Sequence, residues 1–313
     1  MNNTNFRIIF AGTPEFAVPS LNALVKIGLK PSHVITQPDR KSGRGKKISK
    51  SAVKLCSEKH KIPVLQPKSI IDAKFLNLIK EINPDMIVVV AYGIIFHEEL
   101  LKIPKIGCIN IHASLLPRWR GASPIQSCIM NGDLKTGVTI MKMEKGLDNG
   151  PIYSHHKIKL NQTETADHLN KKLADLGAEA IKSDLESILL GNIKFKSQNE
   201  NKTCYADKIK KSNALMDWKN SSKNLERHVR AFNSIPGAYF MYGDEAIKCW
   251  KAEAKKNNAK PGHIISADKR GIEVACGKGS LVIHELQRPG KNRISAAEFC
   301  DQVYSANKPL LSL

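Results

Sequence analysis

No run of this chain is apolar for long enough to cross a bilayer, and no two cysteines stand at a metal-site or redox-pair spacing. The seven cysteines (Cys56, Cys108, Cys128, Cys204, Cys249, Cys276 and Cys300) are widely separated, and no histidine stands at zinc-site spacing from them. They read as reduced, buried thiols. His155-His156 invites a metal reading, but adjacent residues of a strand face opposite ways, so no metal site is expected. The first residues lack a basic n-region and Ile8-Ile9-Phe10-Ala11 is too short for a signal peptide, which predicts a cytoplasmic protein with no membrane partner. Also missing are a Gly-x-Ser-x-Gly elbow and a cysteine beside a histidine, so the chain offers no nucleophile for a covalent acyl-enzyme. P-loop spacing fails as well, because Lys47 follows Gly45-Lys46.

Negative charge is scarce. Against 49 Lys and Arg stand 29 Asp and Glu, a net charge of +20, which points to a polyanionic partner. Lysine and asparagine are frequent throughout, as in Lys255-Lys256-Asn257-Asn258, so clustering tells more than the total. One cluster is dense: Arg40, Lys41, Arg44, Lys46, Lys47, Lys50, Lys54, Lys59 and Lys61 face only Asp39 and Glu58, with Gly43 and Gly45 loosening the loop.

At 313 residues the chain exceeds one ordinary domain. Strand-like runs at 7–11, 34–36, 64–65, 85–91, 108–111 and 137–141 alternate with helix-period segments, which predicts an α/β fold with a Rossmann-like, mostly parallel sheet. Met86 to Ala91 is apolar on both faces and reads as a central strand. The segment 163–189 places Leu169, Leu173, Leu176, Ala180, Leu185 and Leu189 on one stripe, a long amphipathic helix closing a first domain of residues 1–190. Polar residues from 191 to 207 read as a linker. Beyond it, a helix near 222–232 and short strands at 238–242, 246–250, 262–266, 271–275 and 280–286 predict a small OB-like β-barrel within 208–313.

Two polar features interrupt this pattern. In Cys108-Ile109-Asn110-Ile111-His112 the strand ends with Asn110 and His112 on one face, at the edge where open α/β sheets bind ligands. In Lys145-Gly146-Leu147-Asp148-Asn149-Gly150-Pro151 a glycine-rich loop presents one aspartate. Each alone has a structural reading: a histidine bonded to a carbonyl, which fits equally well, and an aspartate making a turn, which fits better. Together they form an acyl-transfer set, in which amide and imidazole meet a developing oxyanion and the carboxylate steers the histidine or takes a proton. Without a resident nucleophile, the attacking group must come from a substrate, and an amine fits.

Asn110-Ile111-His112-Ala113-Ser114-Leu115-Leu116-Pro117, with Gly146-Leu147-Asp148-Asn149-Gly150 downstream, resembles the signature of the 10-formyltetrahydrofolate-dependent formyltransferases. Phe10 to Ala17, Gln37-Pro38-Asp39-Arg40, Pro117 to Gln126 and Arg230 to Ala238 resemble the branch of that family whose acceptor is an aminoacylated initiator tRNA. Asn149 stands where the family commonly has Thr, and Ser234-Ile235 where it has Pro-Trp; neither departure touches a chemical group of the set.

The resemblance implies a Rossmann-like catalytic domain, a β-barrel that binds tRNA, 10-formyltetrahydrofolate as formyl donor and methionylated initiator tRNA as acceptor; a monomer is expected. It implies Asn110, His112 and Asp148 as the catalytic set, and Ser114, Leu115, Leu116 and Pro117 as part of the folate site. Arg40, Arg44, Lys46 and Lys47 fall in the family's basic insertion, which approaches the acceptor arm. By position, Ile94 and Phe96 line the pterin pocket and Phe16 touches the methionine side chain. Lys208, Lys210, Lys211, Lys219, Lys223, Arg227 and Arg230 offer a second basic face. A formyltransferase for a glycinamide ribonucleotide or an amino-sugar nucleotide remains a rival, as does an RNA-binding protein with a degenerate transferase domain.

Overall fold

The computed structural model describes residues 6–42 and 47–305. Its strands are β1 (Ile8–Gly12), β2 (His33–Ile35), β3 (Arg40–Ser42), β4 (Lys47–Ser49), β5 (Val64–Leu65), β6 (Met86–Val90), β7 (Gly107–His112), β8 (Arg120–Gly121), β9 (Lys135–Lys142) and β10 (Ile152–Lys159), followed by β11 (Tyr205–Ala206). Helices α1 (Val18–Lys26), α2 (Ala52–Lys59), α3 (Ala73–Ile82), α4 (Glu98–Leu101), α5 (Pro124–Asn131) and α6 (Ala166–Leu189) alternate with them. Seven strands form one sheet in the order β10-β9-β7-β6-β1-β2-β5. From β5 to β7 all neighbours are parallel, and β9 and β10 add an antiparallel edge. All five side chains of β6 are buried, as a strand covered on both faces requires, and each contributes roughly 1.5–3 kcal/mol of apolar transfer.

Local signals set the helix ends. Ser51 Oγ accepts from Lys54 N at 3.0 Å to start α2, and Asp72 accepts from Lys74 N at 2.8 Å to start α3. Helix α6 buries Leu169, Leu173, Ala180, Leu185 and Leu189 of the predicted stripe, and Leu176 is partly exposed. Gly177 on α6 leaves room for Ile111 of β7, whose methyl would lie 3.2 Å from an added Cβ. The chain leaves β1 for β2 and β5, then returns to β6 and β7 on the other side. A crevice therefore opens beyond the carboxyl ends of β1, β6 and β7.

Two compact units result: one from residues up to Pro124, Lys135–Lys159 and Asn170–Ala206, the other from Ile125–Leu134, Leu160–Leu169 and Asp207 onward. The polar stretch 191–207 is bound down over most of its length. Lys196 bridges Ile152, and β11 pairs in parallel with β8. Six of the seven thiols are buried, and Cys204 is the one that is only partly so. Burial pushes the Cys108 and Cys249 thiols up to about 12. Among the described residues, no helix is long and apolar enough to cross a membrane.

The second unit holds α7 (Ser222–Ala231), β12 (Tyr239–Tyr242), β13 (Glu245–Lys255), β14 (Ile264–Asp268), β15 (Gly271–Ala275), β16 (Ser280–Gln287), β17 (Arg293–Ser295) and α8 (Ala296–Ser305). Its antiparallel sheet runs β12-β13-β16-β15-β14, with β17 also on β16. The five expected strands are present, and β17 was not anticipated. Among the described residues no ladder joins β14 to β12, so the sheet is open where a closed barrel was expected. Helix α7 packs on β13 and β16, and α8 on β14 through β17, sealing apolar surface that barrel closure would otherwise cover.

His228 on α7 sits in this unit against Phe232, with ring centroids 4.4 Å apart. Its Nε2 is buried without a hydrogen-bond partner among the described residues, and desolvation lowers its pKa although the ring bonds the Ala214 backbone. The folded state therefore binds fewer protons than the unfolded chain around and just below about pH 6.5, and stability is lost there as the pH is lowered. His33, also lowered by burial, adds to the same trend. In urea denaturation between about pH 7 and 5, His228→Gln should flatten the decline by no more than about 1.4 kcal/mol per pH unit, the limit for one proton.

Candidate active site

Strand β7 delivers Asn110 and His112 to the crevice on one face, opposite Ile109 and Ile111. The loop after β9 brings Asp148 back to them. Asp148 Oδ1 accepts from Asn110 Nδ2 at 3.3 Å, its Oδ2 accepts from Gly121 N at 2.9 Å, and His112 Nδ1 lies 3.6 Å from Oδ2. His112 Nε2 is 2.9 Å from the Trp119 carbonyl oxygen. A carbonyl only accepts, so Nε2 keeps its hydrogen in either charge state, and Nδ1 is the nitrogen that gains or gives a proton beside Asp148.

The backbone is arranged to make this possible. Asp148 has φ +49° and Trp119 φ +64°, left-handed conformations that side-chain-bearing residues adopt only when their surroundings enforce them. At Gly150 an added Cβ would lie 1.9 Å from the Lys142 carbonyl oxygen, so the loop can close only on a glycine. Gly121, at φ +117°, would bring a Cβ within 2.6 Å of the Ala206 carbonyl oxygen.

The segment Ser114 to Pro117 is held from beneath. Ser114 is fully buried, with Oγ donating to Arg118 O at 2.6 Å, so its hydroxyl serves the loop itself. Thr139 Oγ1 donates to Ser114 O at 2.6 Å and accepts from Leu116 N at 3.1 Å. His155 Nε2 donates to Leu116 O at 2.9 Å, while His156 Nε2 meets Asp184 at 2.7 Å, the opposite-face arrangement expected of strand neighbours. Burial lowers the His155 pKa, in keeping with a neutral donor. Leu116 is buried, whereas Leu115 and Pro117 are partly exposed.

The remaining expected residues separate. Ile94 is exposed, beside exposed Ile95, in the loop after β6, the strand that pairs with β7. Phe96 instead lies in the core, edge-on to Tyr92 at 5.8 Å, and Phe16 is buried as well. Arg40 is exposed and donates to Gln37 Oε1 at 2.6 Å. Arg44 and Lys46 lie outside the described residues, and Lys47 begins β4. Sequence reasoning missed the Trp119 carbonyl, the Gly121 amide, Arg120 and Gln198. Trp119 to Gly121 stood within a quoted motif, but main-chain roles leave no side-chain signal, and Gln198 lay in a stretch read as a linker.

A sheet of this order, with an amide, an imidazole and a carboxylate meeting at its carboxyl edge, is a group-transfer architecture. The comparisons give it a family. Residues 5–185 match the model described as formyl transferase and residues 208–303 that of the formyl transferase C-terminal domain. The chain belongs to the formyl transferase family. It is 45% identical over 292 residues to a methionyl-tRNA formyltransferase of Geobacter metallireducens, covering 93% of this chain and 94% of that one. Among solved structures, WlaRD, a sugar 3N-formyl transferase, superposes with a TM-score of 0.68 at 19% identity, covering 93% of this chain and all of that one. HypX from Aquifex aeolicus superposes at 0.62 and 16% identity over 96% of this chain, which spans only 47% of its length.

Gly121→Ala tests the close approach on which the site is built. Strain at φ +117° and a 2.6 Å clash with backbone oppose the Cβ, and relief requires moving the amide that holds Asp148. The variant should unfold more readily by roughly 1–3 kcal/mol and lose at least about tenfold in turnover, read by denaturation and steady-state assay.

Proposed function

We propose that this protein transfers the formyl group of 10-formyltetrahydrofolate to the α-amino group of methionyl-initiator tRNA, which initiates translation. The observation that carries the reading is the convergence of Asn110, His112 and Asp148 in a chain 45% identical to a methionyl-tRNA formyltransferase. The residues fit the donor: exposed Ile94 and Ile95 follow β6, beside the strand that carries Asn110, and give a pterin an apolar surface edged by polar groups. Ser114, Leu115, Leu116 and Pro117 form a braced loop next to the same strand end, and Phe96, two residues beyond Ile94, contributes from the core. When bound, the donor supplies the formyl carbon.

The α-amino group, neutral in useful fraction near pH 7, attacks that carbon; a carbon–nitrogen bond forms to the amine and the bond to the folate nitrogen breaks. Asn110 Nδ2 donates toward the formyl oxygen as charge develops on it. Asp148 takes the amine proton, directly or through water, and His112 Nδ1 relays a proton toward the departing nitrogen. Phe16 contributes to the methionine pocket.

The first unit, with the stretch up to Ala206 that was expected to be a linker, carries the chemistry, and the second unit from Asp207 onward adds tRNA-binding surface. Arg40, Arg44, Lys46 and Lys47 approach the acceptor arm, whose A-form helix is met through phosphates and shape. The enzyme works as a cytoplasmic monomer, and its charge of +20 suits a polyanionic acceptor.

The deciding experiment supplies purified protein with 10-formyltetrahydrofolate and either methionyl-initiator or methionyl-elongator tRNA. Formylation of the initiator is expected; none on either tRNA, with folate bound, would favour a small-molecule acceptor. Asn110→Ala and His112→Ala should each lower turnover about a hundred- to thousandfold, and values within about threefold of wild type would remove these residues from the chemistry. Lys46→Ala with Lys47→Ala should weaken tRNA binding and reduce its salt slope by about two, measured by filter binding across salt concentrations.

A further inference from the structure

Gln198 uses its whole amide on the catalytic loops. Its Nε2 donates to the Asp148 carbonyl at 2.8 Å and the Gly150 carbonyl at 2.7 Å. Its Oε1 accepts from Arg120 Nε at 3.0 Å and Nη2 at 2.8 Å. Carbonyls only accept and a guanidinium only donates, so one orientation of the amide satisfies all four contacts. Arg120, 2% exposed, is itself gripped by Glu200, with Nη1 to Oε2 at 3.0 Å and Nη2 to Oε1 at 2.7 Å. The guanidinium holds the Glu200 carboxyl below its usual range, and the carboxylate raises the Arg120 pKa in return.

The two chain segments joined by this fork are the ones that build the reacting pair. Arg120 stands between Trp119, whose carbonyl accepts from His112, and Gly121, whose amide donates to Asp148. Asp148 and Gly150 belong to the loop that holds the carboxylate in its left-handed conformation. A residue in that conformation needs neighbours that over-determine it, and Gln198 ties down both its own carbonyl and that of Gly150.

We infer that Gln198, oriented by the Arg120–Glu200 pair, is a positioning residue that fixes the Asp148 carboxylate for formyl transfer. The inference rests on the role proposed for Asp148. Removing the amide leaves the loop intact but lets the carboxylate drift, and displacements of about 1 Å at a reacting group cost up to a hundredfold in rate.

The experiment is a double-mutant cycle on the full chain, with kcat, donor KM and single-turnover rates measured for Gln198→Ala, Asp148→Asn and the pair, alongside unfolding midpoints. Gln198→Ala should lower kcat about ten- to a hundredfold, leave the donor KM within about threefold and unfold near the wild-type midpoint. Gln198→Glu, which keeps the acceptors for Arg120 but loses both N–H donors, should be equally slow. In the Asp148→Asn background, Gln198→Ala should cost nothing more. A full-rate Gln198→Ala beside a crippled Asp148→Asn overturns this inference alone, as does an unchanged fold-loss in the double variant. A full-rate Asp148→Asn overturns the reading of the site and this inference with it.

Discussion

The Asp148 carboxylate is the point on which the first unit turns. One oxygen meets the Asn110 amide and the other meets the Gly121 N–H, with the His112 ring 3.6 Å away. A carboxylate so enclosed must be met by donors, because an ion taken out of water without partners is costly. That demand explains features which otherwise look unrelated. The left-handed Asp148 and Trp119, the glycines at 121 and 150, and the parallel pairing of β8 with β11 each bring one of those donors, or its support, to the carboxylate.

The side-chain chemistry was legible before the fold. Strand alternation placed Asn110 and His112 together, and the glycine-rich loop marked Asp148, because side-chain types and spacings are visible in a sequence. The parallel sheet was equally legible, since β6 and its neighbours are apolar runs separated by helical periods. What supports the site was not. The Trp119 carbonyl and Gly121 amide are groups every residue carries, so their use depends on backbone conformation alone. Gln198 sits among Lys, Ser, Asn and Glu, and polarity reads as solvation unless the partner fifty residues away is known.

Other differences have similar causes. Phe96 follows the central strand closely enough to suggest a pocket wall, but its ring packs edge-on to Tyr92 inside the core. Near a sheet edge, sequence position fixes the neighbourhood and the rotamer decides the side. The second unit was expected to form a small barrel; among the described residues no ladder joins β14 to β12, and helices α7 and α8 pack on the sheet. Pattern alone counts strands well and closure poorly, because closure depends on shear and tilt that no single strand encodes.

The uneven burial of the thiols gives the protein a built-in reporter. Six cysteines are shut away, two of them with thiols pushed up to about 12, so a thiol-directed dye has little thiolate to meet there. Cys204 is partly exposed, and its sulfur accepts from the N–H of Trp119 at 3.3 Å, the same residue whose carbonyl holds His112. A fluorophore attached there would sit beside the loop that holds His112 without any engineered cysteine, and its emission would register rearrangement of that loop in the unmodified sequence.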